Sequence, residues 1–261
     1  MNILQKIITF IVGFSSLFYL VRTGDYYSSK ILLADLGGIP ILYSTIGMIF
    51  SIIAAFAIQK EWDNWNNLVE AVKDEVDSLE ELWIWTGRLP QNVGKKIKPL
   101  IVEYLKVVIR EGWQKSERGE RSEAAEQTLS LLRNVLLEAP QYDSQAVPNL
   151  FPLFGDLLKH RRDRSHFSAR HMPGILRYTL MFATGLLIFL PFFIGIKNIW
   201  LGYIFTLSIA TLAFTVYSVV TDLDYPLRPG GWHLTTKDYE DLLRRIEINP
   251  SRQSVPPSIA R

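Results

Sequence analysis

The sequence predicts an all-α integral membrane protein, with four transmembrane helices and a helical cytoplasmic bundle inserted between the second and third spans. Three observations carry that reading. Charged residues are absent from four blocks, Ile7 to Val21, Leu36 to Gln59, Tyr178 to Ile196 and Asn198 to Thr221, and about 20 apolar residues cross a bilayer core. The segment between the second and third blocks is rich in charge, and its apolar residues recur at helical spacings of three and four. The 261 residues include no cysteine, which excludes disulfides, thiol catalysis and zinc-thiolate sites. The expected parts are residues 1–59 (two spans and an external loop), 60–174 (the bundle), 175–221 (two spans) and 222–261 (an elbow, a short helix and a tail).

Lys6 followed by an apolar run also fits a secretory signal. No small-x-small cleavage site follows, however, and Leu20-Val21-Arg22-Thr23-Gly24-Asp25 reads as a membrane exit, so a retained helix over Ile3 to Val21 is expected. Its Gly13, Ser15 and Ser16 allow close packing in lipid. In the loop after it, Tyr26 and Tyr27 read as anchors at headgroup depth.

The second block runs without a break into EWDNWNNLVEAVKDEVDSLEELW. No Pro or Gly interrupts Ser51 to Thr86, which predicts one helix leaving the membrane near Lys60-Glu61-Trp62. Beyond that exit Leu68, Val72, Glu75, Leu79 and Leu82 share a face, and Glu75 is the one charge on it. A carboxylate facing a packed bundle needs a cationic or hydrogen-bonding partner. Arg161, Arg162 and Arg164 are the nearest basic cluster; the alternative is a Glu at the stripe edge reaching solvent.

Gly87 and Leu89-Pro90 stop this helix. A second bundle helix is expected over Val93 to Ser116, with Ile97, Ile101, Tyr104, Leu105, Val108 and Ile109 on its apolar side. Ser122 opens a third, Glu123 to Glu138, with Leu129, Leu132, Leu136 and Leu137 inward. A fourth starts after Ser144 with Pro148 near its first turn, and carries Leu150, Leu153, Phe154, Leu157 and Leu158. The third span, Ile175 to Ile196, contains Pro191, and the fourth runs from Trp200 to about Val220.

Lys and Arg cluster beside cytoplasmic membrane ends. The approach to the third span holds Lys159, Arg161, Arg162, Arg164, Arg170 and Arg177, so the bundle and both termini are expected in the cytoplasm, in a bacterial inner membrane. The run Lys159-His160-Arg161-Arg162-Asp163-Arg164 reads as an anchor for lipid headgroups, through Lys159, Arg161, Arg162 and Arg164. Net charge is only +2, and Lys60 to Arg177 holds 18 basic against 18 acidic residues. That balance speaks against nucleic acid as a partner.

His160, His166 and His171 do not share a helical face, and no HExxH motif occurs. Asp222 and Asp224 lack the ordered oxygen ligands of a calcium loop. No metal, cofactor or enzymatic chemistry is therefore expected. The more informative stretch is Asp222-Leu223-Asp224-Tyr225-Pro226-Leu227-Arg228-Pro229-Gly230-Gly231-Trp232. It places two carboxylates where a helix leaves lipid, and acids there need pairing. A rigid elbow is expected, after which Thr235 or Thr236 caps the short helix KDYEDLLRRI.

With the exit Lys60-Glu61-Trp62, the Glu75-x-x-x-Leu79 pattern, and Leu223-Asp224-Tyr225-Pro226 followed by Gly230, the chain resembles the bestrophin superfamily. The likeness is greater to its bestrophin-like branch of bacterial membrane proteins. It implies a homopentameric ion channel or channel-like transport protein in which the second span of each subunit lines an axial pore, with hydrophobic rings that gate by dewetting. Ile46, Ile49 and Ile53 lie on one face of that span as pore-lining candidates; the alternative is that they pack against the first or third span. Alignment on Ile39-Pro40 selects Ile39, Tyr43 and Gly47, and alignment on Trp62 selects Thr45, Ile49 and Ile53. Trp62, Glu75, Asp222, Asp224, Pro226 and Gly230 carry the implied structural or gating roles. Arg228 stands where calcium-gated members carry an acidic cluster, so calcium gating is not expected. The other reading is a non-conducting scaffold whose bundle binds a partner protein.

Overall fold

The computed structural model describes residues 3–23, 38–118, 120–139, 147–193 and 198–248, and all regular structure in them is helical. The expected loop with Tyr26 and Tyr27, Ser144, and the turn at Lys197 lie outside the described residues. The chain divides into two compact units, Met1–Asp63 with His171–His233 and Asn64–Arg170 with Leu234–Arg261. The helix α2 (Gly38–Thr86) contributes to both.

The first unit holds α1 (Ile3–Thr23), the start of α2, α7 (Gly174–Phe189) and α8 (Ile199–Asp224). All four helices are long and apolar enough to cross a membrane. Their outward sides carry large apolar groups such as Leu4, Ile41, Phe182 and Ile204, a pattern that lipid stabilises and water does not. Inside, Phe50, Ala54, Leu180, Leu187, Ala213 and Val220 pack as one cluster. The α1 and α8 helices meet through rings: Phe10 stacks on Phe214 at 4.2 Å between centroids, and Phe18 tilts against Tyr203. The Tyr203 and Ser15 hydroxyls share a hydrogen bond of 2.8 Å.

Local chemistry sets the ends of these helices. Pro173 precedes α7, with its carbonyl accepting from the Leu176 and Arg177 amides, and the Asn198 side chain caps α8 by accepting from the Trp200 and Leu201 amides. The third span was expected to run as one helix past Pro191. It tightens into a 3₁₀ turn over Leu190–Phe193 instead, because proline removes a backbone donor. The fourth span continues beyond its expected end to include Asp222 and Asp224, both of which find partners there.

In the second unit Leu68, Val72, Glu75, Leu79 and Leu82 of α2 are all fully buried. The helix stops at Thr86, whose hydroxyl turns back to the Trp83 carbonyl. The second bundle helix is not uniform: α3 (Gln91–Val107) passes through a π turn, Val108–Gly112, into the short α4 (Trp113–Glu117). One extra residue per turn shifts the register, and the residues after it, Trp113 and Ser116, are buried. Ser122 caps α5 (Glu123–Glu138), accepting from the Ala125 amide while donating to Glu111. Leu129, Leu132 and Leu136 face inward as expected, but Leu137 is exposed, since it lies one residue off their stripe. The α6 helix (Val147–Ala169) buries Leu150, Phe154 and Leu157. Finally α9 (Lys237–Ile248) buries Tyr239, Leu242 and Ile246, and Arg245 and Glu247 at its surface pair with Glu80 and Lys106.

Candidate functional site

Three features gather the residues that the sequence singled out. The first is a sealed ion pair in the second unit. Glu75 of α2 accepts from Arg164 Nε of α6 at 2.6 Å and from the Tyr104 hydroxyl of α3 at 2.6 Å. A longer contact of 3.4 Å joins Arg164 Nη2 to Glu75 Oε1, and Nη1 donates to Ser116 Oγ at 2.9 Å. Glu75 and Tyr104 are fully buried, and Arg164 is 4% exposed. Burial works against the Arg164 charge, but Glu75, helped by the two neighbouring tyrosines, outweighs it and raises the guanidinium well above its usual range. For Tyr104, burial first and Glu75 second push the phenol up, so it stays a donor.

Tyr239 of α9 faces the same group. Burial and then the Glu75 charge raise its phenol too, yet its hydroxyl lies outside hydrogen-bond geometry and has no partner. Nothing in the sequence marked Tyr104 or Tyr239 as members of this network. The available signal was a tyrosine on each apolar stripe, which a buried carboxylate can use as a donor.

The second feature is the elbow after α8. Asp222 accepts from Lys6 Nζ of α1 at 2.5 Å and from the Gly231 amide at 2.9 Å. A Cβ on Gly230 would come within 3.0 Å of an Asp222 oxygen, so any side chain there would press on the held carboxylate. Asp224 accepts from the Met172 amide and from Arg177 Nη2, each at 2.6 Å, while His171 Nδ1 stands 2.9 Å from its carbonyl oxygen. Pro226 is buried, and Arg228 lies over the Tyr225 ring at 4.2 Å. Two carboxylates are thus held by cations from two other helices. Lys6 was visible as the one cation of an apolar segment; its partner was not. Among the described residues no group of three or more His, Asp or Glu stands ready for a metal ion.

The third feature is the face of α2 in the first unit. Ile49 is open at 51% exposure. Ile46 and Ile53 are half-buried against the Phe50 and Leu187 cluster. From the other alignment, Tyr43 is half-buried with its hydroxyl on the Leu187 carbonyl, and Gly47 lies close to the Leu187 side chain. Thr45 is open, its hydroxyl closed onto the Ile41 carbonyl. At the foot of this segment Trp62 meets Trp232 edge to face.

The run expected at lipid headgroups is divided. Lys159 and Arg162 are exposed, and Arg161 pairs with Glu126 at 3.0 Å. Arg164 departs from that expectation: it is turned inward and sealed by Glu75, which leaves no path to a headgroup.

These features define a helical membrane protein with four apolar spans and a second helical unit drawn from Asn64–Arg170 and Leu234–Arg261. A model of the Bestrophin-like domain matches residues 36–229, and the chain belongs to the Bestrophin-like family. Solved structures agree in fold. The crystal structure of a membrane protein variant matches at 14% identity and TM-score 0.71, covering 95% of this chain and 99% of that one. A variant of a bacterial bestrophin homologue from Klebsiella pneumoniae matches at 16% identity and TM-score 0.70, over 95% and 98% of the two chains. A second variant of the Klebsiella pneumoniae homologue gives 14%, 0.69, 96% and 99%. No curated protein matches the sequence.

Proposed function

We propose that this chain forms a homopentameric, channel-like membrane assembly whose α2 segments line an ion path along the shared axis. The bundle and both termini lie on the cytoplasmic side of the bacterial inner membrane. The observation that carries the reading is the asymmetry of α2 in the first unit. One side of it packs on α7 and α8 through Phe50, Ala54 and Leu187, and the other, with Thr45, Met48, Ile49 and Ile52, is open. Lipid alone accounts for uncovered apolar groups, as on the other three spans; what supports a path here is the mixture of small residues, Ser44, Thr45 and Ser51, with movable apolar ones, Met48, Ile49 and Ile52, on one open face. Of the three isoleucines offered as lining, Ile49 stands on that open half, with Ile46 and Ile53 at its border. Around the path, the Glu75 pair holds the bundle helices, and the elbow with Asp222, Asp224, Pro226 and Gly230 ties α1, α7 and α8 together. Lys159 and Arg162 remain the cations free to meet headgroups.

Purified protein in a planar bilayer under chloride and sodium gradients tests this. Discrete currents are expected, with a reversal potential that reads the selectivity. A folded, oligomeric particle that passes no current under either gradient favours the scaffold reading instead.

A further inference from the structure

The second unit carries a cleft of about 560 Å³ between α2 and α9. Lys73, Val76 and Asp77 line it from α2, and Asp238, Asp241 and Arg244 line it from α9. At one end Arg245 pairs with Glu80 at 3.0 Å. Among the described residues, the five other charged groups of the cleft make no ion pair, with each other or elsewhere. Its walls are fixed, because α9 is anchored by the buried Tyr239, Leu242 and Ile246 and tied at its end through Arg245 and Glu247. Opposite charges are thus held in one cleft without closing on each other.

Their order follows from the register of the two helices. Tyr239 faces Glu75 and Arg245 meets Glu80, so α9 and α2 run in the same direction and advance together. That offset sets Asp238 level with Lys73 and Asp241 level with Asp77, with Arg244 one turn beyond Asp241. The first level is balanced across the cleft, acid against base. The next is not: Asp77 and Asp241 face each other with no cation between them, and Arg244 beyond them has no anion.

We propose that this cleft binds a free amino acid with an uncharged side chain, its ammonium between Asp77 and Asp241 and its carboxylate on Arg244. An ammonium has three donors, enough for both carboxylates, and a guanidinium presents a fork that matches a carboxylate. A metal ion fits less well, since two carboxylates are fewer than the oxygen ligands a hard cation takes and two basic side chains line the same cleft. A simple amine would leave Arg244 without its anion. Val76, only 5% exposed, gives an apolar floor for the side chain, and the balanced Lys73 and Asp238 level offers no surplus charge to a charged one. The volume lies in the range of small-ligand sites. The inference is independent of the ion path proposed above.

The test is saturation-transfer NMR on the purified full chain with three probes: L-leucine, leucinamide, which lacks the carboxylate, and N-acetyl-leucine, which lacks the ammonium. A ligand of this size on an open cleft should bind with Kd of about 1 mM. Leucine is expected to bind, and each of the other probes to bind at least about tenfold more weakly, as loss of a charge-assisted contact requires. Asp241→Asn and Arg244→Gln should each weaken leucine by a similar factor. Arg133→Gln, which removes an exposed cation of α5 outside the cleft, should leave it unchanged. The substituted side chains do not belong to the buried core, and an unaltered thermal midpoint without ligand confirms that the fold is kept. Equal binding of all three probes, leucine binding that survives both cleft substitutions, or no leucine signal at ten times the expected Kd overturns the proposal, and none of these outcomes bears on conduction.

Discussion

Both units bury carboxylates, but they hold them differently. At the elbow, Asp222 and Asp224 each accept a backbone amide as well as a cation, from Gly231 and Lys6 and from Met172 and Arg177. Glu75 in the second unit takes its hydrogen bonds from side chains, Arg164 and Tyr104. A carboxylate fixed by main-chain amides stays partnered when one side chain is lost. One held by side chains alone is a cooperative cluster, in which deleting a member strands the others. The elbow is thus a local clasp and the Glu75 group a keystone.

The largest expected break is Glu75→Gln, which leaves Arg164 buried without a counter-charge. The cost is about 3–5 kcal/mol, read as a lower thermal midpoint of the purified protein. Replacing both partners, Glu75→Leu with Arg164→Met, should recover part of that loss, because no charge is stranded, although the buried Tyr104 hydroxyl loses its acceptor. Next comes Gly230→Ala, where the new Cβ meets the Asp222 carboxylate at 3.0–3.1 Å; overpacking of this kind costs about 1–3 kcal/mol. Its loss should exceed that of Gly231→Ala, where the nearest contact is the flexible Ile3 side chain at 3.3 Å.

Two tyrosines sharpen the comparison further. Tyr104→Phe removes a donor to a buried carboxylate and should cost about 1.5–3 kcal/mol. Tyr239→Phe removes a hydroxyl that has no partner, so stability should be unchanged or rise by about 1 kcal/mol. A clear loss in Tyr239→Phe would mean that this hydroxyl does bond Glu75. The smallest effect is at Glu111, whose carboxyl is held below its usual range by hydrogen bonds from Ser122 and Lys115. A lowered folded-state value contributes stability above the ordinary carboxylate range and loses it as pH falls through the folded value. Ser122→Ala should move that titration up, as followed by carboxyl NMR.

The spans, the stripe through Leu68 and Leu82, and the short helix after the elbow were legible because burial in lipid or against one core imposes an unbroken or periodic apolar pattern. Glu75 stood out for the same reason, as a charge on an apolar face, and its partner lay within the short basic run. What pairing at long range decides was not legible. Lys6 and Asp222 are joined across the length of the first unit's sequence, and only folding brings α1 to the end of α8. The π turn at Val108–Gly112 is a change of register within a helix whose composition stays helical, whereas the 3₁₀ turn at Leu190–Phe193 was signalled by Pro191. Which side of α2 is open was out of reach as well. Ile46, Ile49 and Ile53 look equivalent by spacing, and only the packing of Phe50 and Ala54 against α7 and α8 separates Ile49 from the other two.

The central claim is that the open half of α2 borders an ion path. The direct test is current through Ile52→Cys, on the open half of α2, exposed to a charged, membrane-impermeant thiol reagent, beside Met181→Cys on an outward side of α7. Progressive block in Ile52→Cys, with native protein and Met181→Cys unaffected, is the predicted result. Undiminished current through Ile52→Cys after the same treatment, or block through Met181→Cys, would contradict it.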